Sequence, residues 1–90
     1  MGTRPRLKPE RLSEKLLQIR GALGLSQTEM LYRLGVEDLI SYKQISKYET
    51  GKGEPLLIIL LRYARAAGVS MDLLVDDELD LPAKLPARRK

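Results

Sequence analysis

The chain has ninety residues, 43% of them hydrophobic, with no cysteine and no histidine. That bounds it to one small domain with one thin core, and excludes disulfides, cysteine- or histidine-based zinc sites and most nucleophile–base pairs. The formal charge of +4 suits a polyanionic partner, and equally an ordinary basic domain.

The apolar set is Leu, Ile, Val and Ala with four Tyr and neither Phe nor Trp, which favours helices packed on helices. The start, MGTRPRLKP, lacks an apolar leader segment. The longest apolar run, Pro55 to Leu61, is too short to span a bilayer. A cytoplasmic protein with no membrane partner, no cofactor and no metal is expected.

Residues 1–9 carry Arg4, Arg6 and Lys8 with two prolines. They read as a basic arm, either following DNA phosphates or solvated. The folded domain is expected over 10–76. Its first helix runs from Glu10 to Leu23, where Leu12, Leu16, Ile19 and Leu23 recur at spacings of four, three and four. Pro9 suits a first turn and Gly24 a left-handed stop.

Ser26 and Glu29 have the spacing of a capping box, so a second helix runs from Ser26 to Leu34. Met30, Leu31 and Leu34 are its apolar face, and Gly35 ends it. Gln27 lies in the first turn, where free N–H groups and the helix dipole favour an anion. Its amide is placed to bond a phosphate or to brace the next helix. In the link that follows, Leu39 or Ile40 is expected to be buried.

The third helix, Ser41 to Thr50, has only Ile45 and Tyr48 as apolar positions within it. Its broad polar face of Tyr42, Lys43, Gln44, Ser46 and Lys47 offers groups that reach DNA phosphates and base edges. Lys52 and the amides of the following GKGEP loop suit a phosphate.

The fourth helix, Leu56 to Ala67, places Leu57, Leu60, Leu61 and Ala64 on one face, expected to be core. Leu56, Ile59 and Tyr63 form a second stripe, read as a dimer interface unless the chain's own C-terminal segment covers it. Ser70 caps a short fifth helix, Met71 to Val75. Residues 77–90 combine an acidic run with LPAKLPARRK and are expected to form a flexible charged tail. Its Arg88, Arg89 and Lys90 would add non-specific DNA affinity or solubility.

The order L-x-x-x-R, LGLSQxEM, LG, ISKYExGKxEP and AxxxGVSMDLL, over roughly residues 12–75, resembles the lambda-repressor/Cro-like (XRE-type) helix-turn-helix regulators. The resemblance implies an all-α, compact five-helix domain that binds double-stranded DNA as a two-fold homodimer. The helix beginning at Ser41 would enter the major groove, with Tyr42, Lys43 and Gln44 in its first turn, Ser46 on the flank and Lys47 one turn on. Gln27 matches a glutamine that contacts the DNA backbone. Arg20 and Glu49 match an ion pair between the first and third helices.

Two departures stand out. The turn before the third helix is four residues longer than is usual in the family, with Val36–Leu39 inserted, and Leu31 stands where alanine is usual. The two changes compensate one another if the wider turn lets the helices separate; alternatively, the inserted residues lengthen a helix. The reading is a sequence-specific transcriptional regulator, a homodimeric repressor of a near-palindromic operator, without enzymatic activity. The competing reading is an antitoxin-type interaction module whose helix-four stripe binds a protein partner.

Overall fold

A computed structural model describes residues 9–86, so all but Pro9 of the arm expected over 1–9, and the cations at 88–90, lie outside the described residues. The chain is all-α. Five helices follow in order: α1 (Leu12–Leu23), α2 (Gln27–Leu34), α3 (Tyr42–Glu49), α4 (Leu57–Ala67) and α5 (Met71–Val75). Among the described residues there is no strand, and no helix is long and apolar enough to cross a membrane.

Local chemistry sets the boundaries. At the start of α2, Ser26 Oγ accepts the Glu29 N–H at 3.0 Å, and Glu29 Oε1 accepts the Ser26 N–H at 2.8 Å. Two otherwise unpaired helical donors are thereby satisfied. α1 and α2 each end on a glycine at φ 71°, a conformation costly for any residue with a Cβ. α1 packs on α3, α4 and α5, and α2 packs on α3 and α4. Leu16, Ile19, Met30, Leu34, Ile45 and Leu74 close the core between them.

α4 presents a different face from the one expected. Ile59 and Tyr63, assigned to an interface, are 1% and 0% exposed, and the buried stripe is Ile59, Leu60, Tyr63, Ala64 and Ala67. Leu57, assigned to the core, is 73% exposed. The segment LLIILL has no polar member to mark its outer side. Turning the helix by one residue, about 100°, exchanges one apolar stripe for another. Leu56 alone of the expected interface residues remains exposed. The Tyr63 hydroxyl has no hydrogen-bond partner among the described residues, and burial pushes its pKa up.

The segment after α5 does not extend away from the domain. Leu81 and Leu85 are buried in the core, and the acidic run lies against the start of α1. α1 has no side-chain cap from its own N-cap residue, Arg11. Asp77 supplies one: its carboxylate accepts the N–H groups of Glu10 and Arg11 at 2.9 and 3.0 Å. Those backbone bonds hold the Asp77 carboxyl below its usual pKa. Arg11 returns hydrogen bonds to the Asp77 carbonyl (2.9 Å) and to Asp80 Oδ1 (2.7 Å). Lys15 is completely buried, and its Nζ donates to the Leu73 and Asp76 carbonyls at 2.8 and 2.7 Å. A cation thus satisfies carbonyls at the end of α5. Leu81 and Leu85, four apart and each followed by a proline, carry this segment into the core, where composition alone suggested a tail.

Candidate nucleic-acid interface

α3 has one narrow anchored edge and one open face. Ile45, Tyr48 and Glu49 are buried. Ser41, Tyr42, Lys43 and Lys47 are exposed, while Gln44 and Ser46 are half-buried. Ser41 is the N-cap residue but makes no side-chain cap bond; in the first turn of α3 the Gln44 N–H bonds the Ser41 carbonyl at 3.0 Å. Lys52 is exposed in the next loop, its own N–H bonded to the Lys47 carbonyl at 2.9 Å. Lys43, Lys47 and Lys52 therefore supply three exposed cations along one element and the loop that leaves it.

The Gln44 side chain lies beside the Tyr48 phenol, one turn on, whose pKa is raised chiefly by burial, with Gln44 acting in the opposite direction. A Cβ built on Gly53 would sit 3.8 Å from Gln44 Nε2 and 3.5 Å from the Lys47 Cβ. The 51–55 loop therefore lies directly against this face of α3.

Gln27 faces inward. Its Nε2 donates to Glu49 Oε1 at 3.2 Å. Arg20 grips the same carboxylate in a bidentate fork, Nε to Oε2 at 2.6 Å and Nη2 to Oε1 at 3.0 Å, and its Nη1 bonds the Leu25 carbonyl at 3.0 Å. The Glu49 bond is the main cause of a raised Arg20 pKa. One carboxylate at the end of α3 is thus tied to both α1 and α2. Bidentate pairing fixes orientation as well as distance, so the rear of α3 is locked to the scaffold. Of the two roles read for Gln27, the geometry supports the brace.

The seven residues linking α2 to α3, 35–41, form a turn of their own. Both helices are eight residues long. Val36 is the buried member, 1% exposed, while Leu39 is 66% exposed and Ile40 half-buried. Burying Val36 lets its carbonyl accept the N–H groups of Leu39 and Ile40 at 2.8 and 3.1 Å. Glu37 and Asp38 are exposed at the tip. Leu31 is buried in the core.

Two short helices joined by a turn, the second anchored at its rear and polar in front, form a helix-turn-helix. A family model described as helix-turn-helix matches residues 16–74. The chain is a lambda-repressor/Cro-like helix-turn-helix protein. As a member of that XRE family it is a DNA-binding transcriptional regulator, and the family is not normally enzymatic. No curated protein matches the chain. The helix-turn-helix match leaves out Arg11 and Lys15 at one end and the segment after Leu74 at the other. Among the described residues no acidic, histidine or cysteine cluster suits a metal ion.

Sequence reasoning passed over Arg62. It is the first charge in an otherwise apolar run, and that isolation is the signal that could have found it. Its Nη1 donates to the Leu34 carbonyl at 2.8 Å and the Gly35 carbonyl at 3.4 Å.

Proposed function

We propose that the protein is a homodimeric repressor that reads a near-palindromic operator with α3 in the major groove. The observation that carries this reading is the division of α3 between a rear edge clamped by Arg20, Gln27 and Glu49 and a front that exposes Tyr42, Lys43 and Lys47. Lysine suits guanine acceptors, glutamine adenine, and tyrosine a thymine methyl or a phosphate. Exposed Lys52 and Ser41 suit phosphates, whose contacts position the protein without reading sequence. Binding weakens steeply with salt because each phosphate contact releases a counterion.

The dimer surface assigned from sequence is replaced by another on the same helix. Leu57 and Ile58 with Leu61 and Met71 line an apolar groove, flanked by exposed Leu56. An uncharged patch is where two copies of a chain with net charge +4 approach with least repulsion. Two-fold pairing there predicts half-sites about one helical turn apart. The same exposed apolar groove supports a second reading, an antitoxin-type module that covers it with a protein partner; that reading predicts a co-purifying heteropartner and weak duplex binding.

The deciding experiment is in-vitro selection of duplex DNA by the full chain, with Lys43→Ala and Gln44→Ala run in parallel. The expected result is an enriched palindrome that blurs at one position per half-site in each variant. If the wild-type chain enriches no sequence, α3 does not read bases.

A further inference from the structure

We propose that Arg62 is a positioning residue for DNA reading: from α4 it clamps the start of the lengthened turn and thereby sets the placement of the N-terminal end of α3. This rests on α3 being the DNA-reading helix.

The two ends of α3 are held by different means. The C-terminal end is tied through Glu49 to Arg20 and Gln27. The N-terminal end, with Tyr42, Lys43 and Gln44, follows the link 35–41. From Glu37 to Leu39 that link is exposed. Its firm attachments are Val36, buried beneath it with its N–H on the Leu31 carbonyl at 3.4 Å, and the guanidinium of Arg62 above the carbonyls of Leu34 and Gly35.

The chemistry at that point calls for a cation. α2 ends at Gly35 with unpaired carbonyls and the negative end of its dipole. Arg62 makes no salt bridge among the described residues, and its guanidinium bonds the carbonyls of Leu34, the last residue of α2, and Gly35, the first of the turn. A Cβ on Gly35 would fall 3.0 Å from Arg62 Nη1, so the guanidinium sits directly over the glycine that ends α2. A longer link has more conformations to lose, and a clamp at its first residue removes many of them. Arginine at this place therefore acts through the turn, not by touching DNA.

The test uses the full chain with Arg62→Met, Arg62→Gln and Arg62→Lys. Two affinities are measured for each: the selected operator duplex and a scrambled duplex of equal length. For Arg62→Met the operator-to-scrambled ratio falls about tenfold or more, the size of one lost base contact, while scrambled-duplex affinity stays within about twofold because the phosphate-binding lysines are intact. Arg62→Lys, which keeps a donor and the charge, restores most of the ratio. If Arg62→Met fails to fold, Arg62→Gln decides, since its amide keeps the stem and a donor without charge. An unchanged ratio in the folded variant overturns the proposal, as does an equal loss on both duplexes. Backbone amide resonances give a readout independent of DNA. In the variants those of Tyr42, Lys43 and Gln44 shift while those of α1 stay in place; unmoved resonances at 42–44 overturn the positioning role even if the wild-type chain enriches no operator.

Discussion

Asp77 caps a helix whose N-cap residue lies 66 positions earlier in the chain: its carboxylate accepts the N–H of Arg11 at 3.0 Å. The bond is stronger to the charged carboxylate, and the Asp77 pKa is accordingly lowered from the usual 3.8 by the Glu10 and Arg11 backbone groups. A depressed folded-state pKa contributes stability above the unfolded value and loses it as pH falls through the folded value. Asp77→Ala is therefore expected to lower the urea midpoint at neutral pH. Its deficit against wild type should shrink as pH falls below the usual 3.8, where the unfolded-state carboxyl protonates first, and be smallest below the lowered folded-state value, where both states are protonated. Urea titrations across pH measure this; a deficit constant from pH 7 to pH 2 would mean that the charge on Asp77 does not matter.

Leu81 is buried in the common core although its segment has no regular structure. Leu81→Ala should cost about 2–4 kcal/mol, as for other buried leucines, whereas an unpacked tail would give nearly none. Chemical denaturation of the full chain distinguishes the two.

Tyr63→Phe removes a buried hydroxyl that has no partner among the described residues. Leaving such a group unsatisfied carries a desolvation penalty with no compensating bond. Stability should be unchanged or rise by about 1 kcal/mol, read from the same titrations. A loss above that size would reveal a hydrogen bond at this hydroxyl.

Arg20→Ala strands the Glu49 carboxylate, whose side chain is 4% exposed, with only the Gln27 amide. Because Arg20 itself reaches solvent at 20%, the cost is expected near the lower end for buried pairs, about 3 kcal/mol. A double-mutant cycle with Glu49→Gln should give a coupling energy above about 1 kcal/mol. Additive single variants would show that the fork contributes geometry without energy.

Leu57→Glu places a charge on the apolar groove while leaving the core intact. Sedimentation should show a monomer, with operator affinity reduced more than scrambled-duplex affinity. A dimer that survives the substitution would place the contact elsewhere. Ile59→Glu is no substitute, since Ile59 is core and its ionised replacement would unfold the domain.

Much of this architecture is legible in the residues. The helices announce their ends through Ser26, Glu29, Gly24 and Gly35, because capping chemistry is local. The polar front of α3 is visible because only Ile45 and Tyr48 interrupt it. The face of α4 is not legible: six consecutive apolar residues satisfy either stripe, and the choice is made by how the helix docks. The link hides its anchor for a related reason, since Val36, Leu39 and Ile40 are all apolar and only three-dimensional packing selects Val36. Lys15 is hidden by its charge. A lysine within an amphipathic helix reads as solvated, and its burial depends on carbonyls far along the chain.

The clasp between α1 and the 76–86 segment bears on how this DNA reader can be handled as a part. A graft of residues 16–74 onto another protein would carry the helix-turn-helix and its ion pair. It would leave behind Lys15, Arg11 and Asp77, and would open the core where Leu81 and Leu85 sit. A transplantable unit must therefore take in at least Glu10 to Leu85, and chimeras cut inside those limits should be judged for foldedness before their failure to bind is attributed to lost recognition.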